Sequence, residues 1–166
     1  MGRYHASIVG KICENCAMGI KETLQHDLTE AMRSKDEIVM ATIRLALTAI
    51  TNEEVAGKEA KTLNESEIIQ VLSREAKKRR ESAEAFEAAG RADRAAREKA
   101  EGEIILRYLP QQLSAAELDE LIKAAIAETG ASGPAGMGQV MKVLAPKIAG
   151  RADGGAVSAA VKAALA

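Results

Sequence analysis

Aromatic side chains are almost missing from this chain: Tyr4, Phe86 and Tyr108 make up 2% of its 166 residues, and there is no Trp. Strands favour aromatic and β-branched residues, so an all-β domain is excluded. Sheets and barrels that stack nucleobases on aromatic platforms are excluded with it. Histidine is as scarce, limited to His5 and His26. Neither could serve a cysteine or serine nucleophile within the helical part of the chain. No run approaches the roughly 18 apolar residues of a membrane span. The first residues also lack the apolar stretch of a signal peptide. These absences lead to the expectation of a cytoplasmic protein with no membrane partner. Cysteine occurs only in Cys13-Glu14-Asn15-Cys16. With His5 and His26 as the other candidate ligands, a closed four-ligand zinc site is not expected, and no metal is assigned.

What the sequence does hold favours helices. Ala, Leu, Glu, Lys and Arg dominate, and these side chains lose little rotamer freedom in a helix. Hydrophobic residues amount to 47% and charged ones to 28%, with Lys plus Arg at 23 against Asp plus Glu at 24. Helical periodicity begins after Met18, where Ile20, Leu24, Leu28 and Met32 recur at four-residue spacing as one apolar stripe. Residues 1–17 are therefore expected to be a leader, disordered or foreign to the native chain, with Met18 the natural start. A second helix is expected over 36–56, ended by Gly57 in a left-handed turn. Its apolar positions, Ile38, Val39, Ile43, Leu45, Ala46, Leu47, Ala49 and Ile50, wrap more than one face, as in the centre of a bundle. Arg44 on it is read as snorkelling or paired. Asn64 with Glu67 reads as a capping box opening a third helix to Ala88, with Ile68, Leu72, Ala76, Ala83 and Phe86 inward. After Gly90, a fourth helix is expected to turn Ala96, Ala100, Ile104 and Tyr108 inward.

Pro110 in Tyr108-Leu109-Pro110-Gln111-Gln112-Leu113 cannot continue a helix, and it marks the expected boundary between an N-terminal domain, 18–109, and a C-terminal one, 110–166. In the second, Ser114 and Glu117 form another capping box, and Leu118, Leu121, Ile122, Ala125 and Ile126 a stripe closed by Gly130. The glycine-rich stretch 130–138 reads as a loop. Two short helices follow, one with Met137, Val140, Met141 and Leu144 as core and ending near 146–150, one with Val157, Ala160, Val161, Ala164 and Leu165. The fold class is all-α: a helical bundle or hairpins, then a small three-helix domain near the lower size for independent folding.

No phosphate-binding loop, dinucleotide fingerprint or helical His-Glu-x-x-His is present. Acidic pairs such as Glu53-Glu54 and Asp119-Glu120 read as solvated helix faces. No catalytic residue or cofactor is assigned, which favours a binding or adaptor role. In the third helix, Glu75 with Arg79, Lys77 with Glu81 and Arg80 with Glu84 are four apart and can pair. Only Arg74 and Lys78 lack such an acid, so they are the weaker candidates for a nucleic-acid patch on what otherwise reads as a salt-bridged face. In the C-terminal domain, 114–129 is acidic. The stretch 137–166 carries Lys142, Lys147, Arg151 and Lys162 against Asp153 alone. Gly136-Met137-Gly138-Gln139 leads into a helix whose first amides can hold a phosphate, with room for it beside Gly136 and Gly138. By themselves these glycines read more simply as shaping the connection between helices.

A set of short motifs runs in order along the chain: Gly19-Ile20-Lys21, Met32-Arg33-Ser34-Lys35-Asp36, Arg44-Leu45, Ala89-Gly90-Arg91-Ala92-Asp93, the Tyr108 to Leu113 stretch, Met137-Gly138-Gln139-Val140-Met141-Lys142 and Gly150-Arg151-Ala152-Asp153-Gly154. In these, from Met18 onward, the chain resembles the YqeY family, related to the tail region of the B subunit of the tRNA-dependent amidotransferase. The resemblance implies a helical two-part protein and a tRNA-binding accessory role that assists aminoacyl-tRNA recognition without catalysis. The tRNA-facing residues it implies are Gly138, Gln139, Lys142, Lys147, Arg151 and Lys162. The partners it implies are tRNA and an aminoacyl-tRNA synthetase or amidotransferase. Where many members carry a Lys after the Asp-Gly pair, this chain has Gly155 and Ala156, which thins the basic surface. The alternatives are membership in a carbon–nitrogen ligase with glutamine as amido-N-donor, or a helical protein-binding adaptor.

Overall fold

In a computed structural model that describes residues 18–57 and 59–165, the described residues form seven α-helices and no strand. The expected leader and the Cys13–Cys16 pair lie outside the described residues. The helices are α1 (Ile20–Ser34), α2 (Glu37–Val55), α3 (Glu65–Ala88), α4 (Ala92–Leu106), α5 (Ala115–Thr129), α6 (Met137–Ile148) and α7 (Gly154–Ala164).

Local chemistry fixes their ends. Between α1 and α2 the chain reverses at Lys35, which takes a left-handed φ of 57°, and Asp36 then caps α2 by accepting the Val39 amide at 3.2 Å. Both capping boxes form: the Glu67 amide donates to Asn64 Oδ1 at 3.0 Å, and the Glu117 amide to Ser114 Oγ at 3.3 Å. Gly90 and Gly130 stand at φ 70° and 61°, conformations that glycine adopts without a Cβ penalty. Gly57 does not: α2 stops at Val55, and the turn behind it is closed by the Lys61 amide donating to Glu54 O at 2.9 Å.

Buried side chains form two cores, one on each side of Pro110. In the first, Leu24 of α1, Ile43, Ala46 and Ile50 of α2, Ile68, Val71 and Leu72 of α3 and Ile105 of α4 meet around Leu63. In the second, Ile122 and Ala125 of α5 pack on Val140, Leu144 and Ile148 of α6 and on Val157 and Val161 of α7. With aromatics scarce, aliphatic side chains and alanines fill both. The α3–α4 hairpin continues past the first core, with Ala83 and Ala95 buried between the helices and ion pairs joining them.

Strict four-residue spacing misplaced several expected core positions. A helix advances about 40° beyond a full turn every four residues, so Met32 lies about 120° round from Ile20. Met32 is accordingly exposed, and Ala31 takes its place in the core. On α4 the same drift leaves Ala96 exposed and buries Ala95, Glu101 and Ile105. On α2 Leu45 is 48% exposed while Thr42 is buried, its hydroxyl donating to Ile38 O at 2.8 Å. Arg44 is exposed. The stretch 130–138 contains a 3₁₀ turn, Pro134–Gly136, that runs directly into α6. Helix α6 ends at Ile148, inside the expected 146–150, with Pro146 in its last turn.

Candidate functional site

The residues expected to face RNA are spread over the second core's surface and over α3. At the start of α6, Gly133 at φ 68° opens the 3₁₀ turn, whose geometry uses the Gly136 amide on Gly133 O at 3.1 Å and the Met137 amide on Pro134 O. Part of the expected anion-binding donor set is thus already engaged. Gly136 is buried, and a Cβ there would stand 2.6 Å from that of Ala131, so its glycine serves close packing and not an approaching anion. Gly138 borders open space. It shares an exposed face of α6 with Gln139 and, one turn on, Lys142.

The remaining cations differ in how they are held. Lys147 pairs with Glu128 of α5 at 3.3 Å. Arg151 Nε donates to Gln111 O at 3.1 Å, and its positive charge helps hold the Glu117 carboxyl below its ordinary range, behind the larger effect of the Ser114 hydrogen bonds. Lys142 and Lys162 are exposed and make no ion pair among the described residues.

On α3 the structure corrects the pairing rule. Arg74 and Lys78 are not free: Arg74 reaches Glu53 of α2 at 2.9 Å, and Lys78 pairs with Glu75 three residues earlier. Arg79 turns to α4, binding Glu98 at 3.1 Å and Glu101 at 3.2 Å, with Arg97 also on Glu101 at 3.1 Å. Glu101 is 5% exposed, the one buried acid among the described residues. Its two arginines supply the charge and hydrogen bonds that a buried carboxylate requires.

The expected pair of Lys77 with Glu81 forms, at 4.0 Å, but spacing along α3 does not reveal the nearer partner that Lys77 shares with Arg80. Both converge on Asp153 Oδ2, at 3.2 and 3.5 Å, from a helix of the first core to the turn between α6 and α7. Asp153 Oδ1 meanwhile caps α7 by accepting the Ala156 amide at 2.9 Å. That hydrogen bond first, then Lys77 and Arg80, lower the carboxyl below its ordinary pKa. Two of the stretches that carried the resemblance also meet here. The Leu113 amide donates to Arg151 O at 2.8 Å, and Gln112 Nε2 to Gly150 O at 2.7 Å. Tyr108 anchors the start of this linker by donating to Asp27 Oδ2 of α1 at 2.8 Å; burial, and then that bond, raise its phenol pKa. Between α3, α4 and the 150–155 turn lies an open cleft of about 700 Å³.

Among the described residues, no three acids, histidines or cysteines stand together as metal ligands, and no helix is long and apolar enough to cross a membrane. A family model described as Yqey-like protein matches residues 21–165. The chain belongs to the YqeY family. Its similarity to curated proteins covers part of its length. Altered inheritance of mitochondria protein 41, mitochondrial, from Saccharomyces cerevisiae is 38% identical over 96 residues, 58% of this chain and 51% of the yeast protein. The protein of the same name from Lachancea thermotolerans is 35% identical over 113 residues, 67% of this chain and 60% of its own. This YqeY-family chain thus spans about half the length of the first of these relatives. Their names overturn the expectation of a cytoplasmic protein, which rested only on missing signals: the relatives are named as mitochondrial.

Proposed function

We propose that this YqeY-family chain is a non-catalytic tRNA-binding accessory protein that grips the phosphate backbone through exposed lysines of α6 and α7. The observation that supports this best is the pair Lys142 and Lys162, exposed and without ion pairs among the described residues on helices that contain no acid. An unpaired cation is worth more to a polyanion than one that must first give up a carboxylate. Residues 110–165 contain no aromatic, so the grip is by charge and shape, without base stacking. The resemblance to the amidotransferase B-subunit tail supports the same reading.

Phosphate-dominated binding weakens linearly on a log–log plot against salt, by close to one unit of slope per neutralised phosphate. Filter binding of unfractionated tRNA across a salt series should therefore give a steep slope. Lys142→Ala with Lys162→Ala should lower that slope by about one to two and weaken binding at low salt. Undetectable binding at low salt, or a slope unchanged in the double variant, would refute the proposal. The relatives' names make mitochondrial tRNA the natural second probe.

A further inference from the structure

We propose that Lys77 and Arg80 form a phosphate-binding pair whose place is held by Asp153, an internal carboxylate that a phosphate group displaces on binding. The RNA source of that phosphate rests on the function proposed above; the site itself does not. The two cations lie three residues apart on one face of α3, and both address a single oxygen, Asp153 Oδ2, because Oδ1 is committed to the Ala156 amide. Glu81, one turn on along α3, lies 4.0 Å from Lys77 at the outer limit of an ion pair, so one oxygen of Asp153 is the near partner of both cations. A phosphodiester offers two non-bridging oxygens in place of one and satisfies each cation separately.

Exchange is cheap in the present arrangement. The Lys77 and Arg80 side chains are 43% and 56% exposed against 19% for Asp153, so the cations' side of each pair is open to water, which weakens its contribution to stability. Space is available, because both residues line the open cleft beside the 150–155 turn. Arg74, one turn before Lys77, lines it too, so the cations form a row about 9 Å long on α3. Glu84, Glu87, Glu98 and Glu103 line the cleft as well, beyond Arg80 and along α4, and repel a polyanion there. The remaining path runs along the row towards the 150–155 turn and the second core.

Asp153→Asn isolates the effect, since Asn caps a helix as well as Asp does but carries no charge. Filter binding of unfractionated tRNA at about 50 mM salt should tighten at least threefold in D153N. Lys77→Gln with Arg80→Gln should weaken it at least fivefold, lower the salt slope by about one to two, and cancel the gain from D153N. A D153N protein that binds no tighter than wild type, or a gain that survives loss of Lys77 and Arg80, overturns the inference while leaving the Lys142 and Lys162 surface standing. An RNA-free arm titrates tripolyphosphate and follows the Ala156 amide by ¹⁵N NMR. The wild type should give a saturable shift that K77Q/R80Q lacks, and no such shift overturns the site. A saturable shift without tRNA binding would keep the site and discard the RNA reading. If K77Q/R80Q loses helicity by circular dichroism, Lys77→Gln alone carries the same comparison.

Discussion

Replacing Gly150 by Ala should be among the most destabilising single-methyl changes in this protein. Two costs meet at that position. The backbone stands at φ 70°, where an L residue is strained by about 1–2 kcal/mol. The new Cβ would also overlap Ile69 Cγ2 of α3 and lie 3.3 Å from Pro110 Cδ, and forced overpacking of this kind adds about 1–3 kcal/mol. Together they amount to about 2–5 kcal/mol. Gly90 and Gly130, at φ 70° and 61°, carry the first cost without the second, because a Cβ at either would meet nothing within 4 Å. Urea denaturation followed at 222 nm on the three variants therefore separates strain from contact. Gly90→Ala and Gly130→Ala should each lose about 1–2 kcal/mol, and Gly150→Ala clearly more. Adding Ile69→Ala to Gly150→Ala should recover part of the difference, a coupling that residues without mutual contact do not show. A Gly150→Ala variant no less stable than the other two would refute the close packing of the 150–155 turn against α3.

Leu144 is fully buried in the second core, so Leu144→Ala should cost about 2–5 kcal/mol, and hydrogen exchange should lose protection in α5–α7 before α1–α4; equal loss in both would mean that the two cores open as one. Glu101→Ala should cost about 3 kcal/mol in urea denaturation, near the lower end for a broken buried ion pair because Arg97 reaches solvent and Arg79 keeps Glu98; a cost below about 1 kcal/mol would contradict the burial of Glu101. Glu54 has its carboxyl pKa lowered chiefly by the hydrogen bond from Lys21, and Asp153 by the Ala156 amide. A lowered acid contributes stability that is present above its unfolded pKa and is lost as pH falls through the folded one. The melting temperature should thus hold above about pH 5 and drop below about pH 4, less steeply in Glu54→Gln and in Asp153→Asn, and parallel curves for wild type and both variants would exclude the effect.

Helix identity was legible because every signal for it is local. Asn64 with Glu67, Ser114 with Glu117, and the glycines after α3 and α5 each act within one turn, and the structure uses all of them. Burial was legible only as far as the spacing was treated as 3.6 rather than 4. Steps of four place Met32 and Ala96 inward, where the structure has both exposed, whereas Leu24 and Ile104, reached by the same steps, lie in the core. Glu101 was out of reach by this route, since a buried carboxylate depends on arginines 22 and 4 residues away on two helices, and hydrophobic periodicity marks a charge as solvent-facing.

Charge pairing shows where the limit lies. Arg79 and Arg80 each have an acid four residues away along α3, yet Arg79 binds Glu98 and Glu101 and Arg80 binds Asp153, because the packed α4 and the 150–155 turn present carboxylates at shorter range than the helix itself does. Conversely, Arg74 has no acid four residues away, and α2 supplies Glu53. Spacing within one helix therefore says little about which cations of an acid-rich bundle are free. The case of α6 and α7 is different in kind. Their sequences, MGQVMKVLAPKI and GGAVSAAVKAA, contain no acid at all. Any pairing there must be imported from a neighbour, and the acid-bearing neighbour, α5, reaches only Lys147 through Glu128. Composition of the two helices marks the segment as basic, and packing then separates its cations: Glu128 takes Lys147 and the Gln111 carbonyl takes Arg151, which leaves Lys142 and Lys162 exposed and without an ion pair among the described residues.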